Sequence, residues 1–321
     1  MAAPYPPKAS TKRSLLGGII LTFSLCLWHT GSASALKDEQ GHYYDVENYI
    51  IKGEKRACTP SEFNAAYEAV KKTPGSATAQ FRLGRLYIVQ HNYAKAIACL
   101  DNCMAIDPQN PKYSIQKACV ELALENDLAV KHNIQEALKK KQLDPGQFLT
   151  ILQVLQAIEE RELAYQVSQR AQSKYSNLPI LNYECALAAR SAGRTEAAES
   201  LLLDCRKDPT FRIRADIQLT ELYYEMKNWQ SVVQYSRTLA DPTTRGDVNK
   251  FRLPNLLKKR SEALYRLARY AEALKPISEA ITISPMQADL RLFRAGIYRK
   301  LNNLPAAETD SLAADQLGRG Y

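Results

Sequence analysis

The sequence predicts an all-α chain built as a solenoid of antiparallel helix pairs. Two observations carry this. Seven prolines, Pro74, Pro108, Pro145, Pro179, Pro209, Pro242 and Pro285, recur at intervals of 34, 37, 34, 30, 33 and 43 residues. Between them, apolar residues fall at helical spacing, so each interval holds a pair of amphipathic helices. A period near 34 residues marks a helical repeat array. One hairpin cannot bury its own apolar face, and stacked neighbours bury it for each other. The product is an extended, curved surface suited to binding partners rather than a pocket suited to chemistry.

At 321 residues the chain is long enough for two ordinary domains, but the continuous period argues for one solenoid. Hydrophobic residues make up 45% and charged residues 24%, which is ordinary globular usage and excludes a disordered or fibrous chain. Residues 1–35 stand apart. Lys8, Lys12 and Arg13 precede an apolar run from Leu15 to Trp28, and Ala33-Ser34-Ala35 follows as a small-x-small cleavage site. This order predicts a signal peptide and an exported, periplasmic or secreted chain. The run is shorter than the roughly 20 residues a membrane span needs; an uncleaved membrane anchor is the alternative. Leu25 before Cys26 disfavours lipidation. No second apolar run reaches membrane length, so the mature chain is expected to lack a transmembrane span.

Net charge is +9 overall. From Pro242 to Tyr321 there are fourteen Lys and Arg against eight Asp and Glu, while residues 36–241 carry 26 of each. The positive surplus of the mature chain therefore lies in its last quarter. It points to an acidic partner or surface, with a solvated, solubilising face as the alternative.

The elements follow in order. The sharpest unit is 77–110. Leu83, Gly84 and Tyr87 share one helical face; Tyr93, Ala96, Leu100 and Cys103 share another, and Asp107-Pro108 closes the pair, because proline lacks an N–H and disfavours a helical residue before it. A second clear unit is 254–287. Counted from Gly84, Tyr87, Tyr93, Ala96, Leu100, Cys103 and Pro108 stand at the offsets that Leu264, Tyr270, Ala273, Ile277, Ala280 and Pro285 hold from Ser261. These segments resemble tetratricopeptide repeats, with a small residue in the first helix, an aromatic at the turn, alanines in the second helix and a closing proline. Looser units cover 43–74, 112–144, 146–179, 186–209, 213–242 and 286–317. The resemblance spans 43–317 in about eight hairpins and implies a right-handed superhelix. Residues 241–250 (DPTTRGDVNK) are expected as a surface loop, 36–317 as the solenoid and 318–321 as a tail.

Six cysteines follow the signal: Cys58, Cys99, Cys103, Cys119, Cys185 and Cys205. Cys99 and Cys103 are one turn apart, with Cβ atoms about 5–6 Å apart, farther than the roughly 3.5–4.5 Å of a disulfide. Cys103 and Cys205 occupy an alanine slot of the repeat, which reads as small buried hydrophobes. Cys185 with Cys205, across one hairpin, is the bridge candidate. His42, His91 and His132 lack a ligand-spaced partner, so no metal site is expected. No phosphate loop or nucleophile elbow is present, and neither cofactor nor enzymatic activity is expected.

By the resemblance, first helices of successive repeats line a concave groove. The groove stripe beside the core stripe includes Phe81 and Arg85 in the sharpest unit, Tyr224 before the loop, Lys258, Tyr265 and Arg266 in the second clear unit, and Arg299 in the last. Mixed cations and aromatics suit an extended peptide bearing carboxylates and apolar side chains. Some family members clamp terminal carboxylates with Lys and Asn one turn apart; Lys258 matches the Lys, but Glu262 replaces the Asn. The expected function is a protein–protein interaction scaffold or assembly factor of the envelope or secreted compartment. The alternatives are a groove-based enzyme or carbohydrate-binding protein, or a binder of acidic polymers through the basic end; export disfavours nucleic acid.

Overall fold

A computed structural model describes residues 59–140, 142–243 and 252–318. The expected signal peptide, the first helix of the 43–74 unit, Cys58, Arg245-Gly246-Asp247 and the last three residues lie outside that set. Among the described residues there are sixteen helices and no strand. Helix α1 (Pro60–Lys72) precedes seven hairpins: α2 (Ala77–Val89) with α3 (Tyr93–Ile106); α4 (Pro111–Ala123) with α5 (Asp127–Leu138); α6 (Pro145–Ala157) with α7 (Arg161–Gln172); α8 (Pro179–Ser191) with α9 (Thr195–Cys205); α10 (Arg212–Glu225) with α11 (Trp229–Tyr235) and α12 (Arg237–Ala240); α13 (Leu253–Arg266) with α14 (Tyr270–Ile283); and α15 (Ala288–Lys300) with α16 (Leu304–Gly318). Helices pack on their hairpin partners and successive hairpins pack on one another, so the core is a series of apolar clusters along the stack.

The period is stricter than the prolines indicate. Every hairpin turns through one residue in the left-handed region: His91, Glu125, Glu159, Gly193, Lys227, Ala268 and Asn302, with φ of 55–57° except for Gly193 at 72°. The first five are each 34 residues apart, and so are the last two; only Lys227 to Ala268 is longer, at 41. The N–H of the following residue donates back to the carbonyl five residues earlier, as in Asn92 to Tyr87, Arg194 to Ala189 and Arg269 to Leu264 at 2.8, 2.8 and 2.9 Å. This bond satisfies carbonyls at the end of the first helix, and that same residue is the N-cap of the second. Asn92, Asn126 and Asn228 also cap with their side chains.

The prolines play two roles. Pro74, Pro108 and Pro285 lie in turns after second helices. Pro145 and Pro179 instead open first helices, where the missing N–H has no helical partner to lose. Their different places in the unit account for the intervals of 37 and 30, and the 41-residue unit accounts for most of the interval of 43.

The small slot of the first helix is a close approach. A Cβ on Gly84 would sit 3.1 Å from Cys99 Cβ, and the equivalent Ser261 donates its hydroxyl to the Ala273 carbonyl at 2.7 Å. The second helix of the fifth hairpin divides at Ser236, which is buried and returns its hydroxyl to the Val232 carbonyl, a bond that bends helices. At the far end, Leu274, Ile277 and Ile281 of α14 pack into the core. Residues 34 later on α16, Glu308, Ser311 and Asp315, are polar, while Leu304 and Leu312 on the same helix are exposed.

Candidate binding surface

First helices of successive hairpins lie side by side, α4 on α6, α6 on α8 and α10 on α13, and form one wall. Polar residues cross it by a simple rule. Gln153 donates to Glu184 at 3.1 Å, Arg190 to Glu221 at 3.0 Å and Lys258 to Asp289 at 2.7 Å. Each pair is separated by 31 residues, one repeat less most of a turn, which sets a side chain beside the neighbouring helix.

The middle of the wall is closed upon itself. Glu221 accepts from Arg190 and, at 2.8 Å, from Arg252. Arg190 also reaches Glu225 and, at 2.6 Å, Gln218. Burial alone would raise the Glu221 carboxyl, but Arg252 and Arg190 outweigh it and hold it below the ordinary value. Among the described residues no cation reaches ion-pair distance of Glu184, and burial raises its carboxyl despite Gln153, Gln156 and Arg214.

At the C-terminal end, Tyr265 lies 5.8 Å from Phe293 and 5.2 Å from Tyr270, ring to ring, and Leu292 is 50% exposed. The cations around this patch have partners. Lys258 is paired with Asp289. Arg266 lies 3.6 Å from Glu262 and 5.9 Å above the Trp229 ring. Tyr224 donates to the same Glu262 at 2.5 Å, and its phenol is pushed up to about 12 by burial and then by that carboxylate. Arg299 donates to Ser311 of α16 at 2.9 Å. The structure therefore groups Tyr224, Arg266, Lys258 and Tyr265 on the α10–α13–α15 wall and turns Arg299 toward the end of the stack.

Phe81 and Arg85 belong to the first hairpin, far from that group. Phe81 is 9% exposed and packs on Tyr113 at 5.5 Å, with the Lys112 ammonium 4.5 Å over its ring. Arg85 is exposed. Burial, and then Arg85, push Lys112 below the ordinary lysine value.

Cys185 and Cys205 are free, buried thiols. The bridge considered between them is not formed, because the two side chains face different backbone carbonyls. Cys185 Sγ faces the Ser168 carbonyl at 3.7 Å, and Cys205 Sγ donates to Pro179 at 3.4 Å. Cys103 makes the equivalent bond to Ala77 at 3.3 Å. Burial pushes Cys103, Cys119, Cys185 and Cys205 up to about 12. Among the described residues no group of three His, Cys, Asp or Glu is placed to hold a metal ion, and no helix is long and apolar enough to cross a membrane.

Sequence reading overlooked Arg190, Arg252, Gln153 and Glu184. The 31-residue spacing between opposite charges is the signal that finds Arg190.

Residues 77–110 match the family model described as Tetratricopeptide repeat. No curated protein matches the sequence. Many solved structures are similar, and three at low identity illustrate them. The chain of the APC/C hetero-tetramer Cut9-Hcn1 is 12% identical, with 82% of this chain and 44% of that chain covered and a TM-score of 0.37; the present chain thus spans under half of its length. YrrB, a TPR protein with an unusual peptide-binding site, is 15% identical over 70% of this chain and 94% of its own, TM-score 0.41. PilW, a type IV pilus biogenesis factor, is 15% identical over 73% and 90%, TM-score 0.41. These scores are low, and the fold stands on the helices and turns described above. The chain is an all-helical solenoid of antiparallel hairpins that carries a tetratricopeptide repeat at residues 77–110.

Proposed function

We propose that the chain is a protein–protein interaction scaffold of the cell envelope or secreted compartment, and that its first-helix wall receives an extended peptide segment. The observation that carries this is the partly exposed Tyr265–Phe293 pair beside half-exposed Leu292, bordered by Lys258 and Arg266. An aromatic and aliphatic anchor within a charged rim is the anatomy of a binding hot spot. The wall binds rather than catalyses. Because Lys258 and Arg266 already have carboxylate neighbours, an acidic ligand exchanges places with Asp289 and Glu262 instead of meeting bare cations. Affinity therefore rests on the apolar anchor, and charge sets the register of the ligand.

The test is capture of partners by the mature chain, identified by mass spectrometry and repeated with Tyr265→Ala and Leu292→Ser. Loss of the same partners in both variants, with helical circular dichroism unchanged, supports the reading; undiminished capture sinks it. Export is tested separately. N-terminal sequencing of extracytoplasmic material is expected to begin at Leu36, and retention of 15–28 in the membrane fraction would establish the anchor instead.

A further inference from the structure

The long unit between Lys227 and Ala268 holds a second feature, on the side of the second helices and independent of the peptide wall. A cavity of about 510 Å³ opens between α12, α13 and α14. Its lining includes Arg237, Arg260 and Lys275, and also Asp241, Glu272 and Glu279.

The two sets of charges do not cancel by pairing. Glu272 is occupied by Arg269, whose Nε and Nη2 donate to its two oxygens at 2.7 and 2.6 Å. Asp241 accepts from the Thr243 N–H and hydroxyl at 2.9 and 2.7 Å, and Glu279 is engaged too. Among the described residues no carboxylate reaches ion-pair distance of Arg237, Arg260 or Lys275. Arg260 is half-buried, and its Nη1 donates only to the Val233 carbonyl and the Ser236 hydroxyl, at 2.6 and 3.0 Å.

Comparison along the repeat shows that this arrangement is unusual. Lys117, Arg260 and Arg294 each stand eight residues before a left-handed turn. The facing position on the preceding second helix is ten residues after its own turn: Asp101, Arg237 and Ser278. Lys117 pairs with Asp101 at 2.6 Å; Arg294 donates to Ser278 at 3.1 Å and pairs through its other nitrogens with Asp310 at 2.7 Å. At the long unit an arginine faces an arginine. Burial and then Arg269 lower the Arg260 guanidinium, Glu272 works against them, and Arg237 adds to the lowering.

We propose that this cavity binds a phosphate group, with Arg237, Arg260 and Lys275 as its donors. Three cations from three elements line this one cavity, and guanidinium groups offer a tetrahedral oxyanion paired hydrogen bonds. The group is either free phosphate or a phosphate monoester.

The test is ³¹P NMR titration of the whole mature chain at constant ionic strength in chloride, with inorganic phosphate and with glycerol phosphate. Saturable binding is expected, weakened about tenfold or more by Arg237→Gln and by Lys275→Gln, as loss of a charge-assisted hydrogen bond implies. Both residues are exposed, so these variants keep the fold; Arg260, which holds two groups of the fifth hairpin, is left intact. Phosphate also stabilises proteins by exclusion from their surface, so a gain in thermal stability that both variants share with the parent counts against the site. Non-saturable binding, or binding untouched by either variant, overturns the proposal. With binding established, tighter capture of glycerol phosphate assigns the monoester, and equal or weaker capture assigns the free ion.

Discussion

Glu221 and Arg252 meet at 2.8 Å across the one break in the repeat. Glu221 belongs to the fifth hairpin, Arg252 stands at the N-cap of the sixth, and the extra residues of the long unit fall between them. With Arg190 of the fourth hairpin on its other side, Glu221 joins three hairpins through one carboxylate.

That carboxylate is expected to stabilise the junction. Glu221 is held below its ordinary value of 4.5. Its contribution is therefore complete above that value and is lost as the pH falls through the lowered native one. Glu221→Gln is expected to cost about 2 kcal/mol at neutral pH, the scale of hydrogen bonds to charged groups, and to flatten the acid limb of the stability curve. Chemical denaturation of both proteins at pH 7 and pH 3.5 measures this; equal losses at the two values would exclude the ionic account.

The left-handed turn residues offer a second prediction. Lys227 and Ala268 adopt φ of 57°, a region that costs a residue with a Cβ about 1–2 kcal/mol. Ala268→Gly is expected to stabilise the chain by about 1 kcal/mol, and Gly193→Ala to destabilise it by a similar amount. Urea denaturation midpoints check both signs.

Thiol chemistry gives a third. With Cys103, Cys119, Cys185 and Cys205 pushed up to about 12, thiolate is scarce at neutral pH. These thiols should resist alkylation in the native chain and react on denaturation. Denatured, residues 36–321, with Cys58 and Cys99 included, should titrate six free thiols; four would restore the bridge. Cys103→Ala and Cys205→Ala should each cost within about 1.5 kcal/mol, as small core swaps do.

The wall gives a fourth. Reversing Lys258 and Arg266 to Glu sets new carboxylates against Asp289 and Glu262. Capture of an acidic partner should fall about tenfold or more, as expected when like charges replace favourable rim contacts, with the circular-dichroism signal retained. Undiminished capture would move the binding surface to the first hairpin, around Arg85 and Lys112.

Much of the fold was legible because packing repeats. Gly84 and Ser261 sit in the same tight slot, and the alignment built on them recovers both hairpins. The true register was not legible. It is kept by seven turn residues of which only Gly193 is a glycine, and His91, Glu125 or Ala268 carries no local mark of a left-handed backbone. Prolines supplied a looser clock, since Pro145 and Pro179 start helices while Pro108 and Pro285 follow them. The wall was read in part. Tyr265 and Lys258 were placed by helical phase, but their partners Phe293 and Asp289 come from the first helix of the next hairpin, and side-chain reach across 28 or 31 residues is not written in the phase of one helix. For the same reason Phe81, on the expected stripe, proved to be covered by Tyr113 and Lys112.

The even spacing of the left-handed turns also sets how the chain should respond to force. Pulled from its two ends, a stack whose hairpins touch only their neighbours gives way one unit at a time. Each unit of 34 residues would release about 12 nm of chain at the reach of extended backbone. The unit between Lys227 and Ala268, with 41 residues, would release about 14 nm. A single-molecule trace would then be a sawtooth of equal steps with one longer tooth, and the place of that tooth in the sequence of ruptures would rank the hairpin at the break by mechanical strength.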